Sequence, residues 1–203
     1  SFLLVDSGAQ YLGGTTDITR TIPLGEVPGS YRRDYTLVLQ AFIRLHAARF
    51  PEGCTGKSLD VLSRQVMWEN YLDYKHGTGH GVGCYLNDHE GPTNFANARV
   101  PMEEGMVISI EPGIYRAGML GVRTENLVTV VRDKRSDEFG QFFRFEPLTL
   151  CPINPQAIET KMLSRSEVVW LNQYHSYVFE QLSPMLEPEE RKWLGAATAP
   201  LHI

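Results

Sequence analysis

Runs of apolar and β-branched residues, each interrupted by turn-forming residues, predict two β-hairpins. The first covers residues 2–25, where an apolar strand and a β-branched strand flank a glycine-rich turn. The second covers residues 106–131 and turns at 116–121. A polar loop is expected at 134–140, followed by a last strand over 142–153 that two prolines interrupt.

Apolar residues spaced three and four apart predict helices in the rest of the chain. One helix is expected over residues 30–50, and Ser58 is expected to cap the next. Near the C-terminus, Ser164 and Glu167 have the spacing of a capping box, and Pro188 is suited to begin a short last helix. Hairpins and helices in separate parts of the chain indicate the α+β class.

Composition and charge argue against some classes of function. The chain has 203 residues, 24 acidic and 19 basic side chains, and a hydrophobic fraction of 42%. A mildly acidic chain of this kind does not favour nucleic-acid binding, and no apolar run approaches the roughly 20 residues of a membrane span. Three widely spaced cysteines, Cys54, Cys84 and Cys151, indicate free thiols in a reducing compartment. We therefore expect a cytoplasmic protein without nucleic-acid or membrane partners.

The sequence begins inside a predicted strand, at Ser1-Phe-Leu-Leu-Val, without a signal peptide. We therefore expect part of a longer protein whose N-terminal region is a partner of this chain. If the chain stands alone, we expect weak binding of a first metal ion and slow catalysis, because chain ends fray unless packing holds them.

Both hairpins carry one acidic residue on each strand, inside an apolar stretch. A four-residue loop at 10–13 would place Asp6 directly opposite Asp17. The turn of the second hairpin would place Glu111 opposite Glu125. Because opposed carboxylates on a buried sheet face repel each other, a cation is expected between them.

Two classes of cation could fill this role. Arg20 and Arg123 are near in sequence, but two guanidinium groups cannot neutralise four carboxylates, whereas two divalent ions can. Oxygen-rich ligands with one imidazole suit Mn²⁺, Co²⁺, Fe²⁺ or Zn²⁺, and two such ions about 3.5–4 Å apart form a hydrolytic site. Solvated strand faces are an alternative for any single acid, less so for four in two matched hairpins.

Glycine-rich loops carry three of the six histidines, and functional side chains concentrate in such loops. These three are His76, His80 and His89. Because Gly77 and Gly79 separate the first two, that pair lies on a loop, where only one of them needs to reach the metals. The other histidines are expected to be structural or exposed: His46, His175 and His202.

The motifs around these residues resemble one family. They are, in chain order, Asp6-Ser-Gly-Ala, Thr-Thr-Asp17-Ile-Thr-Arg-Thr, His76-Gly-Thr-Gly-His80-Gly-Val-Gly, His89-Glu-Gly-Pro, Glu111-Pro-Gly-Ile-Tyr115 and Gly-Val-Arg123-Thr-Glu125-Asn. Together they resemble the pita-bread metallopeptidases, which include methionine aminopeptidase, prolidase, aminopeptidase P and creatinase. Residues 145–153 and the segment after them are similar to the aminopeptidase P branch.

The resemblance implies two divalent metal ions, Mn²⁺ first, with Zn²⁺ or Co²⁺ as alternatives. Asp6 would bind one ion only. Asp17 and Glu125 would bridge both ions. His80 and Glu111 would complete the second site.

It also implies catalytic and substrate-binding residues. Glu111 would handle the proton of the attacking water. His76 and His89 would lie beside the metals, contact the substrate and stabilise the tetrahedral intermediate. Tyr115 and Arg123 would help to shape the substrate site.

The fold implied is the pita-bread fold, truncated at its N-terminus, with two carboxylate-bearing hairpins flanked by helices. Residues 1–138 would form the catalytic core, and residues 139–203 an aminopeptidase P-type extension. The implied activity is release of the N-terminal residue from peptides with proline second, with a homodimer when full length. Two alternatives stay open: a prolidase-type Xaa-Pro dipeptidase, and a catalytically silent peptide-binding module.

Overall fold

The computed structural model describes residues 1–85 and 87–202. Within them the strands are β1 (Phe2–Tyr11), β2 (Gly14–Pro23), β3 (Arg49–Pro51), β4 (Val107–Ile110), β5 (Gly113–Arg116), β6 (Leu120–Arg123), β7 (Asn126–Asp137) and β8 (Gly140–Pro147). The α-helices are α1 (Gly29–His46), α2 (Gly56–Glu69), α3 (Arg165–Leu182) and α4 (Pro188–Ala197). Short 3-10 helices lie at Pro155–Ala157, Thr160–Met162 and Ser183–Met185. Hairpins and helices in separate blocks confirm the α+β class.

Strands β1 and β2 form the first hairpin, and their pairing continues up to a two-residue turn. The predicted four-residue loop at 10–13 is therefore wrong, and so is the direct pairing of Asp6 with Asp17. Asp6 lies opposite Thr19, and Asp17 lies opposite Gly8. Because strand residues alternate between the two faces, Asp6 and Asp17 still share one face, two residues apart in register.

The second hairpin is interrupted rather than continuous as predicted. Strand β4 pairs with β7 and β5 with β6, and Ile110 lies opposite Asn126 at the edge of the break. The register is the same on both sides, so the glutamates in the break, Glu111 and Glu125, lie opposite each other as expected. Pro112, which has no backbone N–H to donate, coincides with the interruption.

Strand β7 extends to Asp137, so the predicted polar loop at 134–140 is wrong over its first half. The chain turns tightly between Asp137 and Gly140, where Gly140 has a positive φ of 94° that favours glycine. The pairing of the two strands shifts in register between Arg132 and Ser136. The resulting four-stranded sheet has the order β3-β8-β7-β4.

Two predicted helix boundaries are also corrected. Helix α1 ends at His46, and β3 at Arg49–Pro51 pairs with β8, so the prediction of helix over 30–50 ran too far. Pairing with a distant strand outweighs the local helical period there. Thr55, not Ser58, caps α2, because the Thr55 hydroxyl accepts a hydrogen bond from the Ser58 N–H at 3.4 Å.

The C-terminal helices agree with the sequence patterns. The Ser164 hydroxyl accepts from the Glu167 N–H at 3.2 Å, and the Glu167 carboxylate accepts from the Ser164 N–H at 2.7 Å. This is the predicted capping box, and α4 begins at Pro188 as predicted. Helix α3 buries Leu171 and Val178 in the hydrophobic core.

The hydrophobic core is centred on α1. Its buried side chains include Leu39, Phe42 and Leu45, and the helix lies against α2, α3 and the second hairpin. His175 on α3 is buried as well and accepts a hydrogen bond from the Ile153 N–H at 3.1 Å, which is the expected structural role. Among the described residues, no helix has both the length and the apolar character to cross a bilayer.

Candidate metal centre

Three potential metal ligands from separate parts of the chain converge between the two hairpins. Asp17 lies on β2, Glu125 lies in the break between β6 and β7, and His80 lies in the glycine-rich loop after α2. One ligand atom from each lies within 4.8 Å of the others. Asp17 and Glu125 are only 7% and 2% exposed. Two buried carboxylates and an imidazole at such distances can hold a cation.

Glu111 completes this group from the opposite side. The His80 Nε2 atom lies 3.4 Å from Asp17 Oδ2 and 3.4 Å from Glu111 Oε1. The hydroxyl of Ser109 accepts from the His80 N–H at 2.9 Å and donates to Glu111 Oε1 at 3.2 Å. One serine therefore fixes both the loop that carries the imidazole and the carboxylate that faces it.

The backbone around His80 packs so closely against β4 and the following loop that side chains are excluded at both residues flanking His80. A Cβ at Gly79 would lie 1.8 Å from the Ser109 carbonyl oxygen, and one at Gly81 would lie 2.1 Å from that of Glu90. The Ser109 N–H also donates to the His80 carbonyl at 2.8 Å. Close backbone approach explains the glycine density seen in the sequence.

The electrostatics show an excess of buried negative charge. Burial raises the pKa of Glu125 to about 8, and the charges of Glu111 and Asp17 act in the same direction, although Thr19 donates a 2.6 Å hydrogen bond to Oε2. Burial also raises the pKa of Glu111. At His80 burial favours the neutral ring, but the hydrogen bond to Asp17 and the nearby Glu111 charge raise its pKa to about 9. The shifts at Glu125 and His80 have the same physical origin, which is negative charge concentrated in a buried site.

This donor set fits divalent metal ions. Carboxylate oxygens with one imidazole nitrogen suit Mn²⁺, Co²⁺ or Zn²⁺, and the buried carboxylates need a compensating positive charge. Because metal ligands must be deprotonated, ion binding at this group is expected to weaken as the pH falls. The residues present therefore fit a metal cofactor.

Asp6 is placed apart from this group. Its half-exposed carboxylate accepts a hydrogen bond from Arg123 Nη2 at 2.5 Å. Arg123 Nη1 donates to the Tyr115 hydroxyl at 3.0 Å, and that hydroxyl lies 3.0 Å from His76 Nε2. Asp6, Arg123, Tyr115 and His76 thus form one connected chain of polar groups. Of the two arginines considered from sequence, Arg123 is paired with two of the four carboxylates, Asp6 and, at 4.0 Å between Nε and Oε2, Glu111.

His89 lies beside the centre with an exposed side chain. Its ring lies against that of His80, with centroids 3.8 Å apart and ring planes tilted by 36°, and 75% of its side chain is accessible. Its Nε2 atom lies 3.6 Å from Asp88 Oδ2, and His80, Asp88 and His89 form a second group of potential ligands within 4.8 Å. Asp88 was not identified as a site residue from the sequence, although its position directly before His89 could have indicated it.

Two hydroxyl residues at the centre were also missed by sequence reasoning. Thr19 binds the Glu125 carboxylate, and Ser109 binds that of Glu111. Each lies two residues from an acidic candidate: Thr19 follows Asp17 on β2, and Ser109 on β4 precedes Glu111 in the adjoining break. Because positions two apart share a strand face, this spacing could have indicated that both hydroxyls lie near the carboxylates.

Family models and known sequences match the chain over most of its length. Residues 1–132 match metallopeptidase family M24, and residues 141–201 match the C-terminal region of peptidase M24. Over 206 residues the chain is 46% identical to proteins described as probable Xaa-Pro aminopeptidase P from Tuber melanosporum and from Paracoccidioides lutzii. These alignments cover 98% of this chain and 33% of either relative, so the chain spans about a third of the length of the curated relatives it matches.

Solved structures agree with the family match. One is an X-prolyl aminopeptidase from Caenorhabditis elegans, described as a cytosolic enzyme with a di-nuclear active site. It superimposes with a TM-score of 0.94 at 40% identity, over 98% of this chain and 33% of that one. The prolidase from Pyrococcus furiosus superimposes with a TM-score of 0.60 at 37% identity, over 73% of this chain and 41% of that one. These likenesses confirm the predicted pita-bread fold.

Proposed function

The chain belongs to metallopeptidase family M24, and on that premise we propose that it carries the catalytic centre of a metal-dependent Xaa-Pro aminopeptidase. Such an enzyme releases the N-terminal residue from peptides that have proline in the second position. The observation that carries the proposal is the convergence of Asp17, His80 and Glu125, with Glu111 facing His80. The names of the relatives support the same substrate class.

The proposed cofactor is a pair of divalent metal ions, with Mn²⁺ as the first candidate and Zn²⁺ or Co²⁺ as alternatives. Asp17 and Glu125 are proposed to bridge the ions, and His80 and Glu111 to complete one of the two sites. Asp6 is proposed as a ligand of the other ion. A carboxylate has two oxygens, so Asp6 can bind through Oδ1 while Oδ2 keeps its hydrogen bond to Arg123.

The proposed chemistry assigns a role to each polar group. When bound, the two ions polarise the scissile carbonyl and activate the attacking water. Glu111, whose pKa burial raises, accepts a proton from that water and returns it to the prolyl nitrogen. His76 and His89 are proposed to contact the substrate and stabilise the tetrahedral intermediate, while Tyr115 and Arg123 shape the substrate site.

The Xaa-Pro bond explains why a dedicated site is needed. It is a tertiary amide without an N–H, and proline fixes φ, so a peptidase that binds its substrate as a strand loses a hydrogen-bond donor there. The prolyl nitrogen must also gain a proton before it can leave. A centre with several proton-carrying groups around buried carboxylates is suited to that task.

A prolidase-type dipeptidase is the second candidate, because it would share the metal ligands. Two observations favour the aminopeptidase. Residues 141–201 match the C-terminal region of the family, and the C. elegans aminopeptidase superimposes over more of this chain than the prolidase does. The third candidate, a silent peptide-binding module, is less favoured because the acidic and imidazole donors are all present.

Four further properties are part of the proposal. Residues 1–138 would be the catalytic core and residues 139–203 an extension packed on it, which contacts between Arg20 and Tyr174 support. A cytoplasmic location is supported by the description of the C. elegans enzyme as cytosolic. Association with the remainder of a longer protein, and a homodimer of that whole protein, stay predictions.

We expect the purified protein, stripped with a chelator and reloaded with Mn²⁺, to cleave a tripeptide X-Pro-Y between X and Pro. The chelated protein and the tripeptide X-Ala-Y serve as controls, and neither should yield product at a comparable rate. Free X is measured by chromatography. Cleavage of the dipeptide X-Pro without cleavage of X-Pro-Y would favour the prolidase, and bound metal without any cleavage would favour the silent module.

A further inference from the structure

We propose that Arg20 is a positioning residue that couples the C-terminal region to the two proposed bridging carboxylates, Asp17 and Glu125. The inference rests on the proposed function, because it concerns the geometry of the metal centre. Arg20 is a buried side chain with 8% exposure, and its acceptors come from the core and from the C-terminal region alike.

Every nitrogen of the Arg20 guanidinium is engaged with neutral oxygens. The acceptors are Pro152 O for Nε at 3.1 Å, Thr19 O and Glu125 O for Nη1 at 2.9 and 2.6 Å, and Asn126 Oδ1, Cys151 O and Tyr174 Oη for Nη2 at 2.8, 2.7 and 3.2 Å. A guanidinium has five N–H donors in a fixed planar arrangement, and these six acceptors engage all five, with the two N–H groups of Nη2 shared among three acceptors. The residue therefore acts as a rigid connector rather than as half of an ion pair.

On the core side, Arg20 holds together the two elements that carry the bridging carboxylates. Its Nη1 atom donates to the carbonyl of Thr19 on β2 and to the carbonyl of Glu125. The Glu125 N–H donates to the same Thr19 carbonyl at 3.1 Å. Asp17 precedes Thr19 by two residues on the same strand face, so a shift of β2 against Glu125 would change the distance between Asp17 and Glu125.

On the opposite side, Arg20 binds the segment that leads into α3. Adjacent strand residues point to opposite faces, so Thr19 faces the carboxylates while Arg20 faces the C-terminal region. Cys151 and Pro152 supply carbonyls, and the buried Tyr174 of α3 supplies its hydroxyl. That hydroxyl also lies 2.9 Å from the Cys151 carbonyl oxygen, which braces the same segment.

Lysine cannot reproduce this arrangement. Its ammonium group has three donors at one point, whereas the planar guanidinium of Arg20 reaches acceptors in the core and in the C-terminal region at once. Arg20→Lys retains the positive charge behind the carboxylates and removes the planar set of N–H donors. This variant therefore separates a geometric role from a purely electrostatic one.

The test compares Arg20→Lys, Tyr174→Phe and the parent chain for Co²⁺ binding, followed by the visible absorption of the bound ion. We expect affinity to fall about ten- to hundredfold in Arg20→Lys, the range for residues that orient metal ligands, and by a smaller factor in Tyr174→Phe. Leu45→Ala, which truncates a buried α1 side chain outside the Arg20 network, is the control for lost stability. Melting temperatures of the metal-free variants show how much stability each has lost.

Parent-like Co²⁺ affinity in a folded Arg20→Lys chain would overturn the inference. So would an equal loss of affinity in Leu45→Ala at an equal loss of melting temperature, because the effect would then be general destabilisation. Tyr174→Phe is the milder variant and keeps the test decisive if Arg20→Lys does not fold. Unchanged Co²⁺ affinity in Tyr174→Phe would overturn the proposed coupling between the C-terminal region and the carboxylates. A parent chain that binds no Co²⁺ overturns the proposed function and this inference with it.

Discussion

Glu125→Gln is expected to weaken metal binding far more than Asp6→Asn does. Glu125 is buried, its carboxylate lies within the close group with Asp17 and His80, and as a proposed bridge it serves both ions. Asp6 is half exposed, paired with Arg123 and proposed to serve one ion. We expect the Mn²⁺ affinity of Glu125→Gln to fall by at least about a hundredfold, since changes to residues behind the ligands alone cost ten- to a hundredfold.

Titration calorimetry with Mn²⁺ measures this difference directly. Asp6→Asn should lose or weaken one ion and keep the other. Glu103→Gln, which neutralises an exposed acid of the same type, is the matched control and should bind like the parent. The reverse order of the two site variants would mean that Asp6, not Glu125, bridges the ions.

His89→Ala is expected to lower turnover of X-Pro-Y strongly while leaving the metal content near normal. The ring lies beside His80 and is largely exposed, which suits contact with substrate better than metal ligation. Loss of one group that stabilises a tetrahedral intermediate typically costs about 10²- to 10³-fold in rate. Elemental analysis and the tripeptide assay on the same preparation give both quantities.

The control for this variant is His202→Ala, which removes an exposed histidine near the C-terminus and should change neither quantity. A His89→Ala protein that no longer retains metal would place His89 among the ligands. That outcome would favour the second group of potential ligands, in which His89 lies with His80 and Asp88.

The second hairpin shows how much of a strand register can be predicted from sequence. Its register was predictable, because a single turn relates Glu111 to Glu125, and the break at Pro112 leaves that register unchanged. The first hairpin was misread by two residues, because the sequence allows turns of two or four residues with similar chemistry. Asp6 and Asp17 nevertheless lie on the same face of the hairpin, since a register shift of two residues preserves the alternation of faces.

Other features depend on contacts that no local pattern encodes. Strand β3 has three residues, and only its pairing with β8 distinguishes it from the end of a helix. Arg20 looked from sequence like a neighbour of the carboxylates, but in the fold it points away from them and binds residues more than a hundred positions later. The ion pair between Asp6 and Arg123 likewise joins two separate hairpins.

The number of metal ions bound between the hairpins tests the central claim most directly. The measurement is elemental analysis of protein equilibrated with Mn²⁺, together with anomalous scattering from a crystal of the same material. We expect two ions per chain, located between Asp17, His80, Glu111 and Glu125 with Asp6 at the edge. Protein that holds no metal there at any concentration of added Mn²⁺ would contradict the account.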